Sequence, residues 1–331
     1  MAYTTINKSS DYFNTKLYTG TGSAQSITGV GFQPDLIWGK NRSATWNHIF
    51  TDAVRGANKQ ISSNLTNAEE SNTGEFTAFG SDGFSVGTGS TLNGSGNNIC
   101  SWNWKANGQG SANNDGSTNT TYTSANTTAG ISIVKWTPSG SAETVGHGLG
   151  AVPKVIITKN LGASQGWFTY HHSIGNTKYL LLNGTAAEAT DSNAWNNTTP
   201  TSSVFSVGSQ FGGNPYIAYC FAEKKGFSKF GLYDGNGNAD GAFVYTGFKP
   251  AFVLLKGKGN TSGWCLIDNK RNPENAVNKK LFANLTNAEA TADVCDFLSN
   301  GFKLKTTDSS QNDSGQGYIY MAFAAAPLVG S

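Results

Sequence analysis

The sequence predicts a mainly β protein of three tandem β-sandwich domains that derive from an internal threefold repeat. The phrase Asn-Leu-Thr-Asn-Ala-Glu stands at residues 64–69 and again, letter for letter, at 284–289, with a looser version at 183–188. Around each copy, short apolar runs rich in β-branched and aromatic residues alternate with clusters of Gly, Asn, Ser and Asp, as in strands joined by turns. A repeat of roughly 100 residues is the size of a whole domain. We therefore expect jelly-roll-like, lectin-like sandwiches, each with one short helical turn at most.

In chain order, the repeat divides the sequence into an N-terminal docking arm (1–12), a first sandwich (13–106), a linker (107–130), a second sandwich (131–223) and a third sandwich (227–327). The linker is rich in Gly, Asn, Ser and Thr, and Tyr122 is its only large apolar residue, which is typical of a long loop. The second and third sandwiches are joined by Glu223-Lys224-Lys225-Gly226, so we expect their relative orientation to be fixed.

Within each repeat, landmarks recur in the same order. An aromatic residue precedes a glycine-rich turn that is expected to close a hairpin, at Tyr18, Trp136 and Tyr233. An apolar strand then ends in a lysine that is expected to reach solvent, at Lys40, Lys159 and Lys256. A tryptophan follows, interpreted as a core anchor with a repeated sugar-stacking site as the alternative, at Trp46, Trp167 and Trp264. The Asn-Leu-Thr-Asn-Ala-Glu phrase has the spacing of a capping box, with Thr66 three residues before Glu69.

Composition excludes several classes of protein. Of 331 residues only 13% are charged, 41 are glycine, and the net charge is +2 without a basic run; this does not fit a nucleic-acid-binding surface. The longest apolar stretch, 321–329, contains Pro327 and is far shorter than the roughly 20 residues of a membrane-spanning helix. The N-terminus has no signal-peptide core. The four cysteines do not recur with the repeat, so we expect buried, reduced thiols.

Function is sought where the copies differ. Trp195 lies among asparagines in an insertion of the middle copy, and an exposed tryptophan among amides suits stacking on a sugar ring. Tyr170, His171 and His172 also break the repeat, and with Trp195 they are the glycan-binding candidates; packing of the insertion on its own domain is the alternative. Adjacent histidines on a strand point to opposite faces, so no zinc site is expected.

A calcium loop is a weaker candidate. Asp234, Asn236, Asn238 and Asp240 place oxygen side chains at alternate positions, as in the first half of an EF-hand loop. Ala239 stands where that loop requires glycine, however, and Tyr245 where it requires glutamate. A hairpin turn is the favoured interpretation.

No enzyme signature emerges, so we expect a non-enzymatic protein without a cofactor. The sequence has no nucleophile elbow, phosphate loop, His-Glu-x-x-His or Cys-x-x-Cys motif. Paired carboxylates for glycoside hydrolysis remain open in principle, from Glu69, Asp82, Glu188, Glu289 and Asp293.

Four long phrases resemble a family of tandem-repeat proteins of tailed, often marine, bacteriophages, described as tail-fibre-like or virion structural proteins. They are Gly31-Phe32-Gln33-Pro34-Asp35-Leu36-Ile37-Trp38, Asn176-Thr177-Lys178-Tyr179-Leu180 with Trp195-Asn196-Asn197-Thr198, Phe227-Ser228-Lys229-Phe230-Gly231, and Tyr318-Ile319-Tyr320-Met321-Ala322-Phe323-Ala324. The resemblance runs from about Tyr12 to Pro327 and brings no catalytic residue with it.

The resemblance implies a virion protein made in the host cytoplasm, on the tail in preference to the head. The leading hypothesis is a tail fibre or receptor-binding subunit that attaches to host surface glycans. A capsid decoration or tail adaptor without receptor binding is the first alternative, and a glycan depolymerase the second. Other virion proteins are the expected partners, without nucleic acid or membrane insertion. A homo-oligomer, by analogy a trimer, is expected.

Overall fold

Antiparallel strands account for most of the regular structure. The computed structural model describes residues 4–327, which form 26 β-strands, three four-residue α-helices and a 3-10 turn at Ser9–Asp11. The prediction of a mainly β protein is confirmed. Within this described range, no helix has both the length and the apolar character that a membrane span requires.

The first segment, residues 13–106, contains nine strands. The sheets are four-stranded (β1-β9-β3-β4), three-stranded (β2-β8-β7) and two-stranded (β5-β6). Their elements are β1 (Phe13–Thr19), β2 (Gln25–Thr28), β3 (Leu36–Asn41), β4 (Ile49–Asp52), β5 (Lys59–Gln60), β6 (Glu70–Ser71), β7 (Phe76–Gly80), β8 (Gly83–Val86), α1 (Ser90–Asn93) and β9 (Asn98–Trp104).

The connecting segment, residues 107–130, supplies one strand to the sheet of the second segment, residues 131–223. The sheets are seven-stranded (β10-β11-β18-β13-β14-β15-β16) and two-stranded (β12-β17). The elements are β10 (Tyr122–Asn126), β11 (Ile131–Trp136), β12 (Glu143–Gly146), β13 (Val155–Asn160), β14 (Phe168–His171), β15 (Lys178–Leu181), β16 (Ala189–Thr190), α2 (Ser192–Trp195), β17 (Val204–Val207) and β18 (Tyr216–Phe221).

The third segment, residues 227–327, forms a nearly closed, barrel-like sheet of eight strands in the order β19-β26-β21-β22-β23-β24-β25-β20. The elements are β19 (Ser228–Asp234), β20 (Phe243–Tyr245), β21 (Pro250–Gly257), β22 (Cys265–Asp268), β23 (Val277–Phe282), β24 (Ala290–Leu298), β25 (Gly301–Leu304), α3 (Ser309–Asn312) and β26 (Gly317–Ala324).

In each segment the first strand pairs with the last, as β1 with β9, β11 with β18 and β19 with β26. The second strand pairs elsewhere, as β2 with β8, β12 with β17 and β20 with β25. The glycine-rich turns after Tyr18, Trp136 and Tyr233 are therefore not hairpins, and that expectation was wrong. Each turn instead connects two strands that pair with different, later strands of the same segment.

The three segments share one central hydrophobic cluster. Alternate side chains of a strand point to opposite faces, and β3 sends Trp38 into the central cluster and Ile37 into an outer cluster of the first segment. Ile157 and Ile156 divide in the same way in β13, as do the apolar residues of β21. Neither face of these strands is exposed, so the three segments pack around a common hydrophobic centre.

The predicted arm and linker both pack on this body. Ile6 is fully buried in the central cluster, and β10 of the connecting segment pairs with β11 along its whole length. Residues 1–3 of the predicted docking arm lie outside the described range. The four cysteines are free and buried, as expected.

Three lysines expected to reach solvent are fully buried instead, at Lys40, Lys159 and Lys256. Each donates hydrogen bonds to backbone carbonyls, one of which belongs to the Asn-Leu-Thr-Asn-Ala-Glu phrase of another segment or to its looser version. The predicted helical turn in the phrase does not form, since residues 65–69 have no regular structure.

The prediction that the repeated tryptophan is a core anchor is confirmed in two of the three segments. Trp167 and Trp264 are buried, and each backbone N–H donates to an asparagine side chain, Asn183 or Asn284. In the first segment the residue that makes this bond is His48, to Asn64 Oδ1 at 2.9 Å. Trp46 is 38% exposed, so its assignment as a core anchor was wrong by two positions.

Candidate functional site

The aromatic pair predicted to stack on a sugar is buried. Trp195 is the last residue of α2. The helix begins after Asp191, and the Asp191 carboxylate caps it by accepting a hydrogen bond from the Asn193 N–H. Its ring is 1% exposed and lies edge-on to Tyr170, with ring centroids 5.8 Å apart, and Tyr170 is 3% exposed. Both belong to the outer cluster of the second segment, and burial raises the pKa of Tyr170 to about 12. The expected exposure of Trp195 was wrong: its ring packs against Tyr170 and Phe211 and anchors the insertion on its own segment, since burial of a large aromatic ring is strongly stabilising.

His171 and His172 join the second segment to the third. His171 Nε2 donates to the Tyr320 carbonyl at 3.2 Å, and His172 Nε2 donates to the Phe230 carbonyl at 2.9 Å. The rings stack with centroids 5.1 Å apart. Burial, with the neighbouring ring as a smaller cause, lowers the pKa of His171 to about 3. The pair therefore acts as a neutral bridge, and His171 is inaccessible to a sugar.

The corresponding contacts elsewhere are ionic. Asp52 accepts bonds from Arg55 in its own segment and from the Tyr219 hydroxyl of the second segment at 2.8 Å. Asp268 likewise accepts from Arg271 and from the Trp102 indole N–H of the first segment at 3.0 Å. These buried groups hold the segments together and face no solvent.

The candidate calcium loop holds itself together without an ion. Asn238 N–H donates to Asn236 Oδ1 and Asp240 N–H to Asn238 Oδ1, while Asp240 forms a 2.6 Å ion pair with Lys303. That hydrogen bond and charge lower the pKa of Asp240. No group of three or more His, Cys, Asp or Glu side chains suited to a metal occurs among residues 4–327. Asp234 is exposed at the end of β19.

The acidic residues considered for glycoside hydrolysis do not gather in one place. Glu69 pairs with Arg55, Glu188 with Lys178, and Glu289 with Arg42 and Arg271. Asp82 accepts the backbone N–H groups of two glycines. These four carboxylates already serve structural contacts, and the fifth candidate, Asp293, is exposed in β24.

An exposed cleft of about 400 Å³ lies where the second segment joins the third, between the start of β19 and the end of β20. Its lining mixes one aromatic ring with charged and hydroxyl groups, from Glu223, Lys225, Gly226, Ser228, Lys229, Tyr245, Thr246 and Gly247. Tyr245 is 60% exposed. Glu223 forms a 3.3 Å ion pair with Lys229 and accepts the Phe230 N–H at 2.8 Å, which fixes the carboxylate at the cleft wall. The volume is that of a small-ligand site.

The matching place in the second segment is filled by the chain itself. Val145 lies opposite Phe205 and Val244 opposite Phe302, so by strand register Gly146 corresponds to Tyr245. A Cβ on Gly146 would lie 1.7 Å from Asn113 Oδ1, because the connecting segment packs directly on it.

Hydroxyl and backbone groups of the connecting segment also cover the neighbouring residue of β12. Thr144, which corresponds to Phe243, donates its N–H to Ser117 Oγ at 2.9 Å, and its carbonyl accepts the Thr118 N–H at 3.1 Å. In the third segment β19 and β20 end the sheet, and Phe243 and Tyr245 are exposed. We call the gap between β19 and β20 the open seam.

The open seam is suited to a ligand rich in hydroxyl and amide groups. The polar chain that fills the second segment has this chemistry, and the cleft offers a tyrosine ring beside lysine, glutamate, serine and threonine side chains. Sequence reasoning missed it. The available signal was Phe243-Val244-Tyr245, in which large residues stand where the other segments have Ser26 and Thr28, or Thr144 and Gly146.

Comparison with known proteins gives a family without an assigned activity. No curated protein and no solved structure matches the chain. One family matches residues 8–327, a single span that includes all three segments. The chain therefore belongs to the family described as a domain of unknown function, DUF7483.

Proposed function

We propose that this protein is a non-enzymatic bacteriophage virion protein, a tail fibre or receptor-binding subunit that attaches to host surface glycans through the open seam. The observation that carries the proposal is Tyr245, 60% exposed over a 400 Å³ cleft whose other walls carry hydroxyl, lysine and glutamate groups. An aromatic face beside hydrogen-bonding groups matches the apolar faces and hydroxyls of a sugar ring.

The fold supports a role in display. We propose that three copies of one sandwich unit, joined by duplication, make a single rigid head; the shared pairing of first and last strands supports this. The seam of the second copy is filled by the connecting segment, and the first copy has Ser26 and Thr28 where the third has Phe243 and Tyr245, so one chain would carry one aromatic site. Several chains on the tail would then bind a repetitive polysaccharide at high effective concentration. Other virion proteins are the proposed partners, in a homo-oligomer.

Binding of the purified chain to host envelope polysaccharide tests the site. We expect Tyr245→Ala to weaken binding about tenfold, the change that corresponds to 1.4 kcal/mol. Trp46→Ala, which removes an exposed aromatic ring from the first segment, is the matched control and should bind as the wild type does. Equal binding by all three proteins would refute the assignment of the cleft.

Labelling of the intact particle tests the setting. We expect antibodies against the chain to mark the tail tip or fibres in electron micrographs, and to block adsorption. Label spread over the capsid lattice would instead identify a decoration protein.

A further inference from the structure

We propose that the junction between the third and first segments is a second binding site, for a small carboxylate that also carries hydroxyl groups, such as a single uronic acid. The site is a cleft of about 160 Å³ between the start of β1 and the end of β22, and its lining includes Lys270 and no acidic residue. It is separate from the open seam and does not depend on the proposed function.

The junctions between segments can be compared residue by residue because their strand registers match. In each segment one central strand, β3, β13 or β21, pairs with the last strand on one side and with the strand that follows it on the other. The first strand of each segment pairs with the other edge of that last strand. Between the second–third junction and the third–first junction, the corresponding residues are therefore His172 and Asn269, Glu223 and Ala325, and Phe230 and Thr15.

At the junction of the second and third segments, side chains of the protein bind the free edge of the first strand. The Glu223 carboxylate accepts the Phe230 N–H at 2.8 Å, and His172 Nε2 donates to the Phe230 carbonyl at 2.9 Å. Lys229 neutralises the carboxylate in an ion pair of 3.3 Å. This place therefore accepts a carboxylate and a hydrogen-bond donor side by side, with a cation next to the carboxylate.

At the junction of the third and first segments, the same backbone groups lie at the edge of the cleft. The carbonyls of Tyr12 and Phe227 accept equivalent N–H groups at or just after the ends of β9 and β26, so β1 and β19 have the same hydrogen-bond phase. The N–H and C=O of Thr15 therefore point away from β9, as those of Phe230 point away from β26. Thr15 itself lines the cleft.

The side chains that fill the other junction are replaced here by ones that leave space. Ala325 stands where the other junction has Glu223, and it has no carboxylate. Asn269 stands where the other junction has His172. The buried atoms Asn269 Oδ1 and Thr15 Oγ1 have no hydrogen-bond partner among the described residues, and Thr15 is only 5% exposed. Buried polar groups in proteins are normally paired, and both residues line the cleft, so a polar ligand is what this lining lacks.

The comparison of the two junctions gives the chemistry of the ligand. Its carboxylate takes the position of the Glu223 carboxylate at the Thr15 N–H, with Lys270 as the cation. A hydroxyl group takes the position of the His172 N–H and donates to the Thr15 carbonyl. The cleft is smaller than the roughly 300–1,000 Å³ of sites for drug-sized ligands, so a molecule of about one sugar unit is the largest that fits.

Titration of the full chain, followed by ligand-detected NMR, tests the site with three probes. Glucuronate has both groups, acetate has only the carboxylate and glucose has only hydroxyls. We expect glucuronate to bind at least about tenfold more tightly than either of the others. Lys270→Gln should weaken glucuronate binding about tenfold. Lys59→Gln, which also removes one positive charge, at a side chain that is 41% exposed in β5, is the matched control and should bind as the wild type does.

A second variant fills the cleft from within. Ala325→Glu places a carboxylate where the other junction has Glu223, and it should abolish glucuronate binding. Urea unfolding checks that each variant is folded. Equal affinities for the three probes, or no binding of glucuronate, would overturn the proposal. Unchanged binding in Lys270→Gln and Ala325→Glu would show that only water enters this cleft. Loss of binding in Tyr245→Ala but not in Ala325→Glu would place glucuronate at the open seam and would equally overturn it.

Discussion

Lys40 in the first segment and Thr286 in the third are joined by a hydrogen bond of 3.1 Å from the ammonium group to the backbone carbonyl. Lys159 makes the same contact with Thr66 at 3.0 Å, and Lys256 with Thr185 at 3.2 Å. The first segment thus reaches the third, the second reaches the first, and the third reaches the second. The contacts form a closed cycle, so each segment is held by both others.

Removing one of these lysines should destabilise the whole chain. In Lys159→Met the carbonyls of Thr66 and Asn160 lose their donor in a buried place. We expect the free energy of unfolding to fall by about 2–4 kcal/mol, measured in urea. Lys8→Met, at a side chain that is 66% exposed, should change it by less than about 0.5 kcal/mol. Equal values for both variants would show that the cycle contributes nothing.

The lowered pKa of Lys159 predicts how the stability of the protein changes at alkaline pH. Burial lowers the pKa of Lys159 to about 8, below the value of about 10.4 in an unfolded chain. Above pH 8 the unfolded chain therefore holds more protons at this site, and stability rises with pH. Buried cysteines with raised pKa values oppose this in the whole protein. The difference in the free energy of unfolding between wild type and Lys159→Met isolates the contribution of the lysine. We expect this difference to increase in favour of the wild type from pH 7.5 to 9.5. A constant or shrinking difference would mean that the carbonyl cage keeps the pKa high.

These lysines also show where sequence reasoning stops. The strand that ends in Lys40 is visible in the sequence, because its apolar run and the preceding Pro34 are local signals. Whether the ammonium group meets water or a carbonyl depends on residues more than 200 positions away. The recurrence of Lys and of the Asn-Leu-Thr-Asn-Ala-Glu phrase was visible, but nothing in one sequence says that the two recurrences touch each other.

Substitutions of Trp195 and Trp46 test the burial of two tryptophans that the sequence did not predict correctly. Trp195 is 1% exposed and Trp46 38% exposed, the reverse of the sequence expectation. Trp195→Ala should lower the free energy of unfolding by about 3–5 kcal/mol because it leaves a large cavity beside Phe211 and Tyr170. Trp46→Ala should cost less than about 1 kcal/mol. Urea unfolding followed by circular dichroism measures both, and a larger loss at Trp46 would contradict the burial of Trp195.

The candidate site at Tyr245 could not be predicted from the sequence, because it too depends on contacts between residues that are remote in the chain. Tyr245 is one of several aromatic residues in strand-like runs, and its exposure depends on what covers β20. In the second segment that cover comes from the connecting segment, which the composition indicated to be only a linker. The strand register that equates Gly146 with Tyr245 is set by β17 and β25, and these partners are remote in sequence.

Acid should weaken the junction between the second and third segments. The pKa of His171 is lowered to about 3 by burial, below the unfolded value of about 6.5. Between these values the unfolded chain binds a proton that the folded chain does not, so stability falls as the pH falls through 6.5. From pH 7 to pH 5 this one group should remove about 2 kcal/mol.

His171→Gln is the variant that isolates the effect, because its amide nitrogen can still donate to the Tyr320 carbonyl. Burial also lowers the pKa values of His48, His147 and His172, so the variant remains acid-sensitive. Its loss of stability between pH 7 and pH 5 should nevertheless be smaller than that of the wild type by about 2 kcal/mol. Glu223, Lys154 and Lys229, the charged groups around His172, are the same in both proteins and cancel in the comparison. Parallel pH profiles of stability for the two proteins would contradict this prediction, because they would mean that His171 has the same pKa in the folded and unfolded chains.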